Sequence, residues 1–312
     1  MMPRIAAKCF PQYGAALIMA LLVVALATTL ASTLIWRQNL WLRQVETRRD
    51  LAQAHLLAIA GVDWARAVLA EDARTSSIDH GGEPWATKVP SMPAEGGEIG
   101  GEMADEQAKW NLNNLLQNGH VNAGHLAVFS RLLVLLQLPP ELAATLADWL
   151  DADSEATEGG AEDAYYLALT PPYRSANREL GDLDNLERVR GFSHAIVERL
   201  RPYVSVLPGY NSVNINTTST IVLAALLPDL SSADVQQIVA DRNHVPYRDL
   251  SDFRARLPRP ELKNITGTER LATRSRYFSV FIRARYGNAD TAAIALLDRV
   301  TTWPAVVWQK FE

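Results

Sequence analysis

A chain of 312 residues with 48% hydrophobic and 21% charged residues can bury a sizeable core, which excludes disorder as the overall state. Its formal net charge of −5 argues against a general nucleic-acid-binding surface, because such a surface needs clustered lysine and arginine. The single cysteine, Cys9, excludes a framework of intramolecular disulfides.

The N-terminal part contains one long apolar segment. Residues 15–36 carry no charge, and as a helix these 22 residues extend about 33 Å, which matches the hydrocarbon core of a bilayer. A short leader with Arg4 and Lys8 precedes the segment and ends at Gly14. A plain membrane anchor and a cleaved secretory signal with a site at 25–27 remain alternatives, although a secretory signal has a shorter apolar core.

The junction at Gly14 resembles the class III signal of type IV pilins and pseudopilins, in which a glycine ends a basic leader and the apolar helix starts at once. The resemblance implies that a prepilin peptidase cuts between Gly14 and Ala15, and that the new N-terminal residue is methylated. It also implies a single-pass protein of the inner membrane with a C-terminal head in the periplasm. Basic residues flank both ends of the apolar segment, so the positive-inside rule does not set the orientation.

The fifth residue after the predicted cleavage site is Met19, where most members of that superfamily carry a glutamate. A glutamate buried in lipid needs a cation, and the N-terminal amine of a neighbouring subunit serves in the superfamily. A subunit with nothing above it has no amine to neutralise. The chain therefore resembles the minor pseudopilin K family of type II secretion systems, which caps the pseudopilus tip and has minor pseudopilins I and J as partners.

The rest of the chain predicts an α+β fold. Residues 37–70 continue the N-terminal helix, because apolar residues recur at helical spacing without a proline. Residues 75–101 are rich in Gly, Pro, Ser and Glu and predict a loop or a partly disordered linker, followed by a weak strand at 102–111. The resemblance implies that the helix packs on a small antiparallel sheet. Alternating segments predict three C-terminal strands, at 277–285, 291–300 and 306–309.

The region between these strands reads as a large helical insertion with an internal repeat. The sequence NLN at 111–113 recurs as NIN at 214–216, and each asparagine can cap the helix that follows. We expect helix–hairpin–helix or SAM-like subdomains. The predicted regions are a leader at 1–14, the N-terminal helix at 15–75, a linker and first strand at 76–111, the insertion at 112–271 with subdomains 112–206 and 207–271, and C-terminal strands at 272–312.

An acidic segment at 148–163 contains seven carboxylates in sixteen residues, which repel one another unless they are solvated or bridged by a hard cation such as Ca²⁺. Four acids occupy positions 1, 3, 5 and 12 of an EF-hand frame: Asp151, Asp153, Glu155 and Glu162. Ala156 stands where an EF-hand needs glycine, so a standard EF-hand is not expected. A solvated acidic loop is the simpler alternative.

The same segment resembles the calcium-binding stretch of pseudopilin K, because DWLDAD is followed by GAED and a tyrosine. The resemblance implies a structural Ca²⁺ ion, with backbone carbonyls completing the ligand set. The implied side-chain ligands are Asp151, Asp153, Glu162 and Asp163.

A second hypothesis is a membrane-anchored DNA-binding protein, because residues 214–243 resemble a helix–hairpin–helix module. Such modules grip phosphate with the backbone of a glycine-rich hairpin, whereas the hairpin at 227–230 has a proline, an aspartate and no glycine. We therefore expect no nucleic-acid partner. The sequence has no P-loop, G-x-S-x-G or G-x-G-x-x-G motif, and we expect no enzymatic activity.

Overall fold

The computed structural model describes residues 13–259 and 265–312, so Arg4, Lys8 and Cys9 of the leader lie outside the described part. Its longest element is helix α1, Tyr13–Thr75, whose 63 residues extend about 95 Å. The helix has no proline and no break, and it joins the apolar segment to its amphipathic continuation. The prediction of one long N-terminal helix is confirmed.

The remaining described residues form short helices and strands. The further α-helices are α2 (Ala123–Leu135), α3 (Leu142–Leu150), α4 (Asp163–Tyr166), α5 (His194–Leu200), α6 (Thr220–Leu226), α7 (Ser232–His244) and α8 (Leu250–Ala255). The strands are β1 (Val89–Ala94), β2 (Gly97–Asp105), β3 (Trp110–Asn111), β4 (Leu116–Gln117), β5 (His120–Val121), β6 (Val204–Ser205), β7 (Val213–Asn214), β8 (Leu271–Ala272), β9 (Tyr277–Tyr286), β10 (Ala289–Asp298) and β11 (Ala305–Phe311).

Five strands form one antiparallel sheet in the order β1-β2-β9-β10-β11. Alternate residues of β9 and β10 face α1 and form a core with it. Gly61 lets the helix approach this sheet closely, because an added Cβ would lie 2.7 Å from Cγ2 of Ile282 and 2.8 Å from Cδ1 of Ile99. The three predicted C-terminal strands are confirmed as β9, β10 and β11, with their ends shifted by a few residues.

The prediction of a loop over residues 75–101 is wrong, because β1 and most of β2 lie there. The two strands pair through a turn at Glu95 and Gly96, which both have positive φ. The glycines of β2 hide the alternation of apolar and polar residues that would mark a strand in the sequence. They also permit β2 to pair with β9, because a Cβ on Gly97 or Gly101 would collide with backbone oxygens of β9. The strand predicted at 102–111 is also corrected, since β2 ends at Asp105 and a 3-10 helix, Glu106–Ala108, follows.

The long insertion between β2 and β9 is built from two units, and each is closed by a pair of short parallel strands. The first unit is closed by β3 with β6, and the second by β7 with β8. Buried side chains from both units form one continuous hydrophobic core, which is separate from the core between α1 and the sheet. The two units are therefore packed as a single body.

The asparagine repeat has the same structural role in both units. Asn113 accepts a hydrogen bond from the backbone N–H of Leu180 at 2.8 Å and donates to its carbonyl oxygen at 3.1 Å. Asn216 makes the same pair of bonds with Tyr247, at 2.8 and 2.9 Å. Each asparagine thus imitates a strand partner for a buried backbone segment, which satisfies polar groups that the core would otherwise leave unpaired.

The helix-capping role predicted for the asparagines of the two triplets is confirmed only for Asn111, and only for a 3-10 helix. Asn111 caps only the 3-10 helix Leu112–Leu115. The α-helices that follow are capped instead by Asn122 before α2 and by Ser219 before α6.

A buried polar network joins the insertion to the end of α1 and to the sheet. Nη1 of Arg299 lies 2.7 Å from Asp72 of α1, and Nη2 lies 2.6 Å from Asp79. Arg299 also donates to the carbonyl oxygen of Ser275 at 2.7 Å. Asn214 extends the network into the second unit, since it donates to the carbonyl oxygen of Asp79 at 3.1 Å.

We expect Arg299→Met to lower the free energy of unfolding by about 3–5 kcal/mol, because it leaves two buried carboxylates without their cation. Urea unfolding of the full chain in detergent, followed by circular dichroism, measures the effect. The matched control is Arg276→Met, which breaks the more exposed ion pair with Asp298 and should cost at most about 1 kcal/mol. Equal losses in the two variants would contradict the central role of Arg299.

Candidate functional site

The acidic segment forms a loop between α3 and α4, and its two ends are fixed by aromatic packing. Trp149, near the end of α3, packs edge-to-face on Tyr166 of α4 with ring centroids 4.9 Å apart. Both rings are buried in the core of the insertion. The loop is therefore held at both ends by the hydrophobic core and not by contacts between its own carboxylates.

Three of the predicted ligands converge in this loop. Asp151, Asp153 and Glu162 each offer a carboxylate oxygen, and these atoms lie within 4.8 Å of one another. Oδ1 of Asp151 and Oε1 of Glu162 are buried and have no hydrogen-bond partner. Buried carboxylate oxygens without a donor are costly, so the arrangement suits a hard cation that binds oxygen ligands.

The electrostatics of the cluster agree with its geometry. Burial and, to a smaller extent, the neighbouring carboxylates of Asp153, Asp148 and Glu162 together raise the pKa of Asp151 to about 6. Burial also raises the pKa of Glu162, against the opposing effect of its hydrogen bond from Ser175. A divalent cation among these carboxylates would offset both the burial and the smaller mutual repulsion that raise the two pKa values.

The fourth predicted ligand, Asp163, is directed elsewhere. Its Oδ1 accepts hydrogen bonds from the backbone N–H and the hydroxyl of Ser175, both at 2.9 Å, and its Oδ2 lies 3.4 Å from Arg174. The same hydroxyl lies 2.9 Å from Oε2 of Glu162, so its single hydrogen is shared between the two acids. Asp163 therefore orients a neighbour of the cluster and does not join it. Glu155 lies exposed and outside the cluster, so the EF-hand frame is not filled.

Two residues that shape the loop were not singled out from the sequence. Asp148 is fully buried and accepts hydrogen bonds from the backbone N–H of Thr157 at 3.0 Å and from its hydroxyl at 2.7 Å. Asn177 donates to the carbonyl oxygen of Asp153 at 2.9 Å, and its own Oδ1 is buried without a partner. In the sequence, Asp148 is one of seven acids in the segment, and nothing distinguishes its role from that of the others. No pattern links Asn177 to Asp153, which lies 24 residues earlier.

We expect Gly160→Ala to destabilise the loop, because an added Cβ would collide with Asp148 and Thr157 and break their hydrogen bonds. The expected loss is about 2–4 kcal/mol in the free energy of unfolding, since a buried carboxylate would lose its donors. Thermal or urea unfolding of the full chain measures it. Gly181→Ala is the control, because no atom lies within 4 Å of its added Cβ, and it should change stability little. Equal effects would show that the loop tolerates the extra group.

The second candidate site is the free half of α1. Residues 14–49 are exposed along the whole helix, and α1 is long and apolar enough to cross a membrane. Gly14 and Ala15, the residues of the predicted cleavage site, lie in its first turns, and no atom lies within 4 Å of a Cβ added at Gly14. Met19 is 70% exposed. This half of α1 is compatible with a single-pass membrane anchor.

The fold and these sites define a pilin-like protein: one helix has an exposed apolar N-terminal half, and its other half packs on a small antiparallel sheet. A chain in the crystal structure of the GspK-GspI-GspJ complex from the enterotoxigenic Escherichia coli type 2 secretion system has this fold. It superposes with a TM-score of 0.73 at 24% identity, over 86% of this chain and 99% of that chain.

Sequence comparison identifies the family. Family models described as "Type II secretion system (T2SS), protein K" match residues 108–209 and 213–274. Type II secretion system protein K of Pseudomonas aeruginosa is 36% identical over 300 residues, covering 92% of this chain and 89% of that protein. The Klebsiella pneumoniae protein of the same name is 32% identical over 317 residues, covering 96% of each chain. The chain belongs to the type II secretion system protein K family.

This result confirms the resemblance to pseudopilin K and assigns the chain to a protein secretion system. The relatives are named as components of that system and not as enzymes.

The DNA-binding alternative finds no support in them. In the hairpin between α6 and α7, Asp229 accepts two hydrogen bonds from Thr266, both at 3.0 Å, so this acid holds a neighbouring loop in place.

Proposed function

We propose that this chain is the minor pseudopilin that caps the tip of the type II secretion pseudopilus and takes part in protein export across the outer membrane. The observation that carries the proposal is the absence of an acid in the apolar segment: Met19 is apolar, and the first acid of α1 is Glu46. A subunit that offers no carboxylate to a neighbour above it is suited to the terminal position.

The position of the insertion supports the same function. The turn between β9 and β10 lies near the membrane side of the head, where the backbone N–H of Asn288 donates to Asp50 at 3.4 Å. Arg299 contacts Asp72, which lies 22 residues and about 33 Å further along α1. The insertion is attached at that distal end through Asn214 and Ser275. In the proposed filament, the part of the insertion held at this end would occupy the space of the next subunit.

The proposal includes the partners and the processing of the chain. The proteins GspI and GspJ, which share a crystal structure with the fold relative, support minor pseudopilins I and J as partners. We infer that prepilin peptidase cleaves between Gly14 and Ala15 and methylates the new terminus, leaving the protein in the inner membrane with its head in the periplasm. Helix pairs α2 with α3 and α6 with α7, each joined by a short turn, support helix–hairpin–helix or SAM-like units.

We also propose that the acidic loop holds a structural Ca²⁺ ion with Asp151, Asp153 and Glu162 as ligands. The carboxylate oxygens that are hidden from bulk solvent and have no donor favour such an ion over a solvated loop, because a bound cation would balance their charge. Asp163 is proposed to hold Ser175 in position next to Glu162. The ion would neutralise the cluster and tie α3 to α4.

Met19→Glu should reduce incorporation at the tip, because the new carboxylate would lie in an apolar environment with no amine above it. Immunogold labelling of pseudopili and the amount of exported protein measure the effect, and the wild-type chain should be found at fibre ends. Met19→Gln, of similar size and without charge, is the control and should assemble nearly normally. Label along the fibre shaft, or unimpaired assembly of the glutamate variant, would contradict capping.

Gly14→Phe should block processing, because a bulky side chain would replace the glycine that precedes the predicted cleavage site. Mass spectrometry and N-terminal sequencing of the membrane-extracted chain measure the outcome, and the wild-type chain should begin at Ala15. Ala27→Phe is the control, since it would block a secretory signal peptidase and leave prepilin processing unchanged. A Gly14→Phe chain of normal mature length would contradict the proposed signal.

Removing calcium with a chelator should lower the melting temperature of the head, because an ion bound only by the folded state stabilises it by about 2.7 kcal/mol at a hundredfold excess over Kd. The calcium effect should weaken as the pH falls through about 6, where Asp151 becomes protonated. Asp151→Asn should abolish the calcium effect, and Glu158→Gln, an exposed acid of the same loop, should retain it. A melting temperature indifferent to the chelator would rule out the site.

A further inference from the structure

Four arginines follow the charge-free segment of α1, on the side of the head. We call them the arginine collar: Arg37, Arg43, Arg48 and Arg49. Glu46 is the only acid between residues 15 and 49, so four arginines against one glutamate leave this part of the helix with a net charge of +3. The collar is therefore a concentrated positive charge next to an apolar helix.

The collar is free to bind an external partner. All four side chains are exposed. Within residues 13–259 and 265–312, none of the four guanidinium groups forms a salt bridge or donates a hydrogen bond, and Glu46 pairs with neither Arg43 nor Arg49. By contrast, Arg201 and Arg276 of the head each pair with a carboxylate. The described part of the chain therefore leaves the charge of the collar uncompensated.

Helix geometry places the collar at the height of lipid head groups. At a rise of about 1.5 Å per residue, Arg37 lies about 1.5 Å and Arg43 about 10 Å beyond Trp36 along the axis. Helical side chains tilt toward the N-terminus, here toward the bilayer, so the guanidinium of Arg43 lies nearer to it than its Cα. The polar layer of a leaflet is about 5–8 Å thick, so both arginines reach it.

Two tryptophans mark the same height. Trp36 is 64% exposed and Trp41 is 67% exposed, so neither ring belongs to the core of the head. Tryptophan is enriched at the boundary between hydrocarbon and head groups, because one part of its ring is apolar and its N–H needs a polar partner. These rings indicate that the surface met by the collar is that of a bilayer and not that of a protein.

The signal that sets membrane topology does not explain the collar. With the N-terminus in the cytoplasm, as proposed above, the collar would lie on the translocated side, where the positive-inside rule disfavours basic residues. The leader offers only Arg4 and Lys8 against the four arginines of the collar. An anionic partner on the side of the head would compensate this opposing charge.

We propose that the arginine collar binds the phosphate groups of acidic phospholipids in the leaflet that faces the head. Arg37 and Arg43 are the direct contacts, while Arg48 and Arg49 act over a distance of about one Debye length. A guanidinium donates two parallel hydrogen bonds to phosphate oxygens, and acidic lipids add a net charge that zwitterionic lipids lack. The inference rests on the membrane anchor proposed above and is independent of the tip position. Binding would fix the depth of the apolar segment in the bilayer.

The test is native mass spectrometry of the full chain in a neutral detergent, titrated with phosphatidylglycerol and, separately, with phosphatidylcholine of the same acyl chains. Each titration gives a Kd for the first bound lipid. Phosphatidylglycerol should bind about tenfold more tightly at low ionic strength, because only this lipid carries a net charge. Equal Kd values for the two lipids overturn the proposal, and an acidic protein surface would then be the partner to seek.

The collar variant is Arg37→Gln combined with Arg43→Gln, and it should reduce the preference for phosphatidylglycerol to about twofold or less. The matched control, Arg199→Gln combined with Arg248→Gln, removes the same charge from exposed positions of the insertion and should keep the full preference. Both variants retain the basic leader, so its contribution cancels. An undiminished preference in the collar variant overturns the assignment.

A second measurement separates this inference from the anchor on which it rests. Fractionation of cells that express the wild-type chain should recover it from membranes only with detergent. A chain that stays in solution without detergent overturns the anchor and the collar together. A detergent-extracted chain without lipid preference overturns the collar alone.

Discussion

The buried ionic network around Arg299 is the interaction on which the rest of the structure depends. It joins the C-terminal end of α1 to the loop that follows β10, and through Ser275 and Asn214 it also holds the insertion. A buried ion pair of this kind contributes little net stability over an apolar contact, but breaking it is costly. The network therefore fixes the relative positions of helix, sheet and second unit, because its members come from α1, from the loop after β10 and from β7.

The insertion also buries irregular backbone, whose polar groups need hydrogen-bond partners. Both units place an asparagine against a backbone segment with the same two hydrogen bonds, and both are closed by a short parallel strand pair. The paired units share one core, so the insertion is a rigid mass. This rigid body is attached to the C-terminal end of α1 through Asn214.

Two buried groups in the insertion carry charge without a partner of opposite sign. In the loop between α3 and α4, Oδ1 of Asp151 and Oε1 of Glu162 have no hydrogen-bond partner. In α7, the buried guanidinium of Arg242 donates to the carbonyl oxygens of Ile215 and Thr218, and no carboxylate among residues 13–259 and 265–312 forms a salt bridge with it. Groups of this kind are costly to bury, so both positions lower the stability of the fold unless a ligand or a backbone contact compensates them.

Local pattern alone determined the long helix, the three C-terminal strands and the acidic loop, because apolar periodicity and charge density are properties of neighbouring residues. It failed for β1 and β2, whose glycines hide the alternation and make sense only against the backbone of β9. Local pattern also could not show that Glu162 joins the acidic cluster while Asp163 does not. It gave no sign of the roles of Asn177 and Arg242. Those roles depend on which side chains meet across the fold and on which donors are already taken, and only the tertiary structure decides that.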